Sequence, residues 1–205
     1  VLILFGLFVV CTAVLIHFQH HDVWTSIRYA AFETVSIATT TGFGVTDFST
    51  WPTLLPYLLL YASFIGACAG STGGGMKVIR VLLLYKQGSR ETKRLLHPHG
   101  VFPVKLGNKP VPDRVVEAVW GFCAVYVFTF AMLFLLLLGT GLDFVTAFSA
   151  LTACINNLGP GLGEVAVHYG NLEASVKWIL TFAMLLGRLE VFTLLVLLTP
   201  MFWRR

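Results

Sequence analysis

Apolar runs of two different lengths follow one another along this chain, in the same order twice, and that pattern leaves few architectures open. Residues 1–18, VLILFGLFVVCTAVLIHF, are long enough to cross a bilayer, whereas 25–38, TSIRYAAFETVSIA, are too short and too polar; a Thr/Gly stretch and the long segment 53–85 come next. The second half repeats the order: a span at 118–138, the short run 143–155 (DFVTAFSALTACI), the loop NNLGPGLG, and a span near 176–203. A bilayer-crossing helix takes about 20 apolar residues, while runs of about 10–14 are re-entrant or buried. Both short runs therefore predict half-helices that enter the membrane and turn back. The letters repeat as well: Ala31-Phe32 recurs as Ala147-Phe148, and Thr41-Gly42-Phe43-Gly44 as Leu158-Gly159-Pro160-Gly161. A fixed internal repeat is settled before any fold is assigned. The expected fold class is an all-α integral membrane protein of two helix–pore-helix–helix repeats. Its expected organisation is a pore repeat over 1–85 with a glycine loop at 66–76, a basic linker over 86–113, and a second pore repeat over 114–205.

Composition supports the membrane reading. The chain is 57% hydrophobic and 12% charged, with mean hydropathy +0.81, against roughly 45–50% and 25% for soluble domains. The opening run has no basic region before it and no small-residue cleavage site after it, so a signal peptide is not expected. With no initiator Met, a piece of a longer polypeptide is expected instead. Cys11, Cys68, Cys123 and Cys154 sit in apolar segments without metal-like spacing and read as small hydrophobes. His17, His20 and His21 are close enough to suggest a metal but lie where a helix emerges into water.

Charge orients the spans. Nine of the fourteen Lys/Arg fall between Lys77 and Arg114, where Glu91 and Asp113 are the only acids. The positive-inside rule makes that connection cytoplasmic, with Arg204 and Arg205 on the same side. The connections near 19–52 and 139–175 carry Asp22, Glu33, Asp47, Asp143, Glu164 and Glu173 against Arg28 alone and face outward. Both half-helices then enter from outside, which makes the repeats parallel rather than inverted. No aromatic or RNA-binding pattern accompanies the basic stretch, so no nucleic acid partner is expected.

Non-helical backbone at membrane depth survives only where protein buries it or where it lines a water-filled path. Two such loops after two half-helices point to a pore, although ordinary glycine turns between packed helices would leave the same trace. In Ala38–Thr46, small residues and glycines can turn successive carbonyls toward one axis, and Thr40-Thr41-Gly42-Phe43-Gly44 has the form of the potassium-channel filter TVGYG. The second loop, Asn157-Leu158-Gly159-Pro160-Gly161, keeps both glycines. Gly42 and Gly159 are the positions where positive φ is most needed. The negative ends of the half-helix dipoles point at both loops and favour a cation.

Segment 53–85 would reach about 50 Å as one helix, against about 30 Å of apolar core, so it must be interrupted. The glycines of GACAGSTGGGMK (Gly66, Gly70, Gly73, Gly74 and Gly75) supply the break. The stretch nearly matches a phosphate-binding loop, but Met76 separates the last glycine from Lys77 and Val78 follows where Ser or Thr is required. Gly66 and Gly70 alone would suit close helix packing, whereas Ser71–Gly75 does not have that spacing. In the last span Arg188 and Glu190 are charges at bilayer depth, which read as functional by default or as a structural ion pair.

Taken together, ATTTGFG, GACAGSTGGGMKVIR, INNLGPGLG and GRLEVF resemble the C-terminal half of Trk-type potassium transporter membrane subunits, in the Trk/Ktr/HKT superfamily, over nearly the whole chain. That resemblance implies four pore repeats around a pseudo-fourfold, potassium-channel-like pore, of which this chain supplies the third and fourth. It implies potassium contacts at Thr40, Thr41 and Gly42 and at Asn157, Leu158 and Gly159, with Phe43, Gly44, Pro160 and Gly161 completing the filter loops. It implies a gating loop of Gly70, Ser71, Thr72, Gly73, Gly74 and Gly75 contacted by Arg188. It further implies a cell inner membrane location, an N-terminal half with the other two pore loops, a homodimer, and a cytosolic nucleotide-binding regulatory subunit docked on a linker that could equally be a connector touching lipid headgroups. No cofactor is expected beyond the transported ion. A ring of carbonyls needs about four contributors, so two copies of this chain could substitute for the missing half. Sodium permeation, an ion-coupled secondary transporter and, more remotely, an intramembrane enzyme stay open as alternatives.

Overall fold

Helices dominate because the apolar runs satisfy their own backbone. The computed structural model describes residues 2–19, 22–52, 54–66, 68, 71 and 73–188. Helix α1 (Leu2–Gln19) is apolar all round. Helix α2 (Val23–Ala38) buries small and polar residues, Ser26, Ala30, Glu33, Thr34 and Ser36 among them. A 3₁₀ turn at Phe48–Thr50 is capped by Asp47, whose carboxylate accepts from the Ser49 amide at 2.9 Å, and leads into α3 (Leu54–Ile65). Helix α4 (Val78–Leu96) follows the glycine segment. A hairpin, β1 (Lys105–Leu106) with β2 (Lys109–Pro110), precedes α5 (Asp113–Gly139). Helix α6 (Phe144–Ile155) is capped by Asp143, which accepts from the amides of Val145 and Thr146; a 3₁₀ turn at Gly163–Val165 and α7 (Ala174–Arg188) complete the described chain.

Each short helix is clasped by two others: α2 packs on α1 and α3, and α6 on α5 and α7, with α3 meeting α6 between the units. This is the helix–pore-helix–helix unit expected from the sequence, present twice. Among the described residues α5 is long and apolar enough to cross a membrane by itself, while Leu2–Phe18, Leu54–Ile65 and Phe144–Ile155 are shorter apolar helices. Residues 189–205, with Glu190 and the rest of the last expected span, lie outside the described residues.

Two apolar cores correspond to the two units, and the boundary between them is shared. One gathers Leu133, Leu137, Ala147, Leu151, Ile155, Leu180 and Leu186. The other gathers Cys11, Leu15, Ile37, Phe48, Trp51, Leu55 and Leu59, and takes in Ala153, Leu158 and Leu162 from the second unit. Aromatic rings bridge α3, α5 and α6: Phe64 meets Phe130 at 5.6 Å and Phe130 meets Phe148 at 5.7 Å, both edge-on.

The expected interruption of 53–85 falls between Ile65 and Val78. One sequence expectation changes here. Gly66 is no packing-face residue: it follows α3 at φ +66°, with a Cβ position 2.5 Å from the Gly74 carbonyl oxygen. Helix α4 continues unbroken from Val78 to Leu96 and carries the chain from its apolar turns into the basic stretch. A turn at Gly107-Asn108 closes the β1–β2 hairpin, with Gly107 at φ +59° and Leu106 paired with Lys109.

Leu151 is fully buried in the second core and Leu136 is 54% exposed on α5. Leu151→Ala is expected to destabilise the detergent-solubilised protein by about 2–5 kcal/mol through the cavity it leaves, and Leu136→Ala by less than about 0.5 kcal/mol. Thermal unfolding of the two variants side by side checks the difference.

Candidate functional site

The two loops after the half-helices have the same backbone. Thr39 caps α2 near φ −92°, ψ 2°, and Asn156 caps α6 near φ −88°, ψ −1°. Thr40 (φ +56°) and Asn157 (φ +52°) follow in the left-handed region, and Gly42 (φ +82°) and Gly159 (φ +106°) return to it two residues later. The closing hydrogen bonds match too: the Thr41 amide donates to the Ser36 carbonyl at 2.8 Å, and the Leu158 amide to the Ala153 carbonyl at 2.8 Å. A backbone whose hand alternates in this way can present successive carbonyls to one side. Glycine at Gly42 and Gly159 meets the expectation of positive φ. The left-handed Thr40 and Asn157 are the unforeseen part; Asn tolerates this conformation, but for a β-branched Thr it is an outlier held by its surroundings.

Side chains from the half-helices hold the outer arms of both loops. Glu33, 1% exposed, accepts at Oε1 from the Val45 amide at 2.8 Å and from the Thr46 amide at 3.3 Å. Ser36 Oγ donates to the Phe43 carbonyl at 2.5 Å. In the second unit Ser149 Oγ accepts from the Leu162 amide at 2.9 Å, and the Tyr169 hydroxyl donates to the Gly159 carbonyl at 2.7 Å. Carbonyls at Phe43 and Gly159 thus spend one lone pair on the scaffold. A buried chain runs behind the second loop: Tyr126 donates to Asn156 Oδ1 at 2.9 Å, and Asn156 Nδ2 donates to Ser63 Oγ at 2.9 Å.

Close approach needs glycine at three further contacts. A Cβ at Gly42 would overlap the Leu158 carbonyl, so the two loops lie directly against each other. A Cβ at Gly74 would overlap the Asn156 carbonyl, and one at Gly187 the Ile155 carbonyl. The glycine segment and α7 therefore press on the end of α6, just under the second loop. The Gly74 amide also donates to Thr40 Oγ1 at 3.2 Å.

These approaches bring together most residues singled out in the sequence. A cavity of about 330 Å³ is lined by Thr39, Thr40, Thr41, Ser71, Gly73, Gly74, Asn157 and Arg188. A smaller one of about 130 Å³ adjoins Ser71, Gly73, Gly75 and Arg188, and adds Lys77, Arg80 and Tyr126. Gly70 and Thr72 lie outside the described residues. Gly44, Pro160 and Gly161 belong to the outer arms and not to this cavity; Gly161 donates to the Val165 carbonyl at 3.2 Å. Sequence reading missed Glu33, Ser36, Ser149, Asn156 and Tyr126 as supports. The available signal was a set of polar residues placed within apolar helices. Among the described residues no group of His, Cys, Asp and Glu could hold a metal.

Asn156→Ala would leave the Tyr126 hydroxyl and a Ser63 lone pair buried without their partner. It is expected to lower stability by about 1–3 kcal/mol. The Tyr126→Phe/Asn156→Ala pair should lose less than the two single losses added together, and a double-mutant cycle on thermal unfolding measures this coupling.

Known proteins share this fold. The TrkH family model, described as a cation transport protein, matches residues 2–205. The chain is 56% identical over 199 residues to the Trk system potassium uptake protein TrkH of Vibrio parahaemolyticus, covering 97% of this chain and 41% of that protein. It is 53% identical to TrkH of Escherichia coli, over 98% of this chain and 42% of the relative, and 38% identical to TrkG of the same species, over 99% and 42%. The crystal structure of the potassium transporter TrkH from Vibrio parahaemolyticus superposes with a TM-score of 0.92 at 54% identity, over 99% of this chain and 44% of that one. The chain thus spans about two fifths of the length of the relatives it matches. It is a multi-pass membrane protein with pore-helix repeats, and it belongs to the TrkH family of cation transport proteins.

Proposed function

We propose that this chain supplies two of the carbonyl-lined loops of a pore for monovalent cation uptake, with potassium as the transported ion. The observation that carries the reading is the pair of loops with the same alternating backbone hand, in contact at Gly42 and Leu158. Carbonyls around Thr40, Thr41, Asn157 and Leu158 would replace the ion's hydration shell, and the facing negative ends of α2 and α6 add a field favouring a cation. Relatives named for potassium uptake support potassium as the ion. An N-terminal half with two further loops would complete the ring. The basic stretch between α4 and α5 and the C-terminus would lie on the cytoplasmic side of the inner membrane, by the distribution of Lys and Arg. A homodimer and a cytosolic nucleotide-binding regulatory subunit complete the proposed assembly.

Gating belongs to the glycine segment. Ser71, Gly73, Gly74 and Arg188 share the cavity lined by Thr40 and Asn157; a loop in this position would obstruct the path, and Arg188 would latch it.

Rubidium and sodium uptake into vesicles containing the full-length protein tests the proposal. Rubidium flux exceeding sodium flux is the expected outcome, and no monovalent cation flux at all would refute the functional reading. Arg188→Ala is expected to raise flux roughly tenfold, the ratio that corresponds to about 1.4 kcal/mol of latch. Unchanged flux and gating would remove Arg188 from the gate.

A further inference from the structure

A third cavity, of about 390 Å³, lies away from the pore loops, between α4 and the segment leading into β1. On the α4 side Lys86, Ser89, Arg90 and Lys93 fall at i, i+3, i+4 and i+7, which places them on one face of the helix. Lys105 faces them from the hairpin, and no acidic side chain lines the space. We propose that this cleft binds the phosphate diester of an anionic phospholipid at the membrane surface.

Three features support a built site. Arg90 is 8% exposed; its Nη1 reaches Asp113 Oδ1 at 2.5 Å, while its Nε, 3.7 Å from Glu91 Oε1 in an ion pair, is buried without a hydrogen bond. Lys86 Nζ donates to the Lys105 carbonyl at 2.5 Å, which fixes the hairpin against the helix and leaves the lysine's other donors for a ligand. The nearby acids are already occupied: Asp113 by Arg90, and Glu91 by Gln87 at 2.7 Å and Arg94 at 3.2 Å. Lys86, Lys93 and Lys105 are in no described salt bridge. The cleft lining concentrates positive charge from Lys86, Arg90, Lys93 and Lys105, which suits a phosphate.

Its position selects a lipid over a free anion. Helix α4 is apolar from Val81 through Leu84, after Arg80 in its first turn, and polar from Lys86, so the cleft sits where the helix leaves the bilayer. Val104 packs with Leu83, Val116 and Val119 and holds the hairpin at that level. Tyr85, 75% exposed, lines the cleft, and Leu82, 40% exposed, lies one turn nearer the membrane. A headgroup in the cleft would lay its acyl chains along that apolar edge, and clustered Lys/Arg immediately beyond a span is the composition that recognises anionic lipid.

The proposal rests on the membrane reading of the chain but not on ion conduction, so its test uses binding and not flux. Native mass spectrometry of the full-length protein in detergent, with dioleoyl phosphatidylglycerol, dioleoyl phosphatidylcholine and inorganic phosphate as separate probes, measures it. Phosphatidylglycerol is expected to bind at least roughly tenfold more tightly than phosphatidylcholine, and Lys93→Gln/Lys105→Gln to remove most of that preference. Lys109→Gln, outside the cleft lining, should leave it unchanged. Equal binding of the two lipids, or an unaltered preference in the double variant, overturns the proposal. So does inorganic phosphate binding as tightly as the lipid, which would make the cleft a soluble-anion site. Loss of a cytosolic protein partner in the double variant, with lipid preference intact, would assign the cleft to protein docking instead.

Discussion

After α2, after α3 and after α6 the chain leaves helical geometry, and each time backbone groups lose the partners a helix would provide. Lipid offers none, and an unmet amide or carbonyl there costs several kcal/mol. The architecture follows from how those groups are met. Each half-helix is enclosed by two neighbouring helices and carries the polar side chains that its own loop needs: Glu33 and Ser36 for the first, Ser149 for the second. Asn156, Tyr126 and Ser63 tie the second loop to α5 and α3. Polar residues that look costly in an apolar helix are what make the loops affordable at that depth.

The two loops share a backbone without sharing their supports. A carboxylate gathers two amides on one side, where a single hydroxyl serves on the other. The Phe43 carbonyl is held from the helix before it, whereas the Gly159 carbonyl is held by Tyr169 from the chain after it. The repeated unit therefore conserves the path of the main chain and lets the side chains differ. In the proposed pore that asymmetry places the ion-facing groups on matching backbone while each loop keeps its own stiffness. The buried Asn156 network makes the second loop part of the α3–α5 core, and Leu158 and Leu162 plug into the core of the first unit.

Much of this was legible in the letters, because run length and glycine are local signals. The alternation of long and short apolar runs located the described helices of both units, α4 running past the expected end at residue 85, and the glycines at Gly42 and Gly159 marked left-handed backbone. What stayed hidden depends on partners distant in sequence. Glu33 read as one more acid on an outward connection, since nothing near it announces that Val45 and Thr46 would turn back onto it. Thr40 could not be read as left-handed, because a β-branched residue argues against that conformation unless its surroundings impose it. The continuity of α4 was obscured by the change from apolar to basic residues at Lys86, which alters the solvent around the helix and not the helix itself.

The glycine segment is the place where structure changes the physical argument most. From sequence its glycines suggest freedom of motion. In the fold they are sites of contact: Gly66 lies against the Gly74 carbonyl, Gly75 against the Ser63 carbonyl and Gly74 against Asn156, while the Met76 amide donates to the Phe64 carbonyl at 2.9 Å. Each position lacks a side chain because another main chain occupies the space. Gly66, Gly74 and Gly75 can leave these seats only by giving up those backbone contacts. Since Gly74 touches both Thr40 and Asn156, such a movement would be felt by both pore loops at once. In the proposed gate, close packing would favour two discrete arrangements over a continuum, and a small change at Arg188 would then act as a switch.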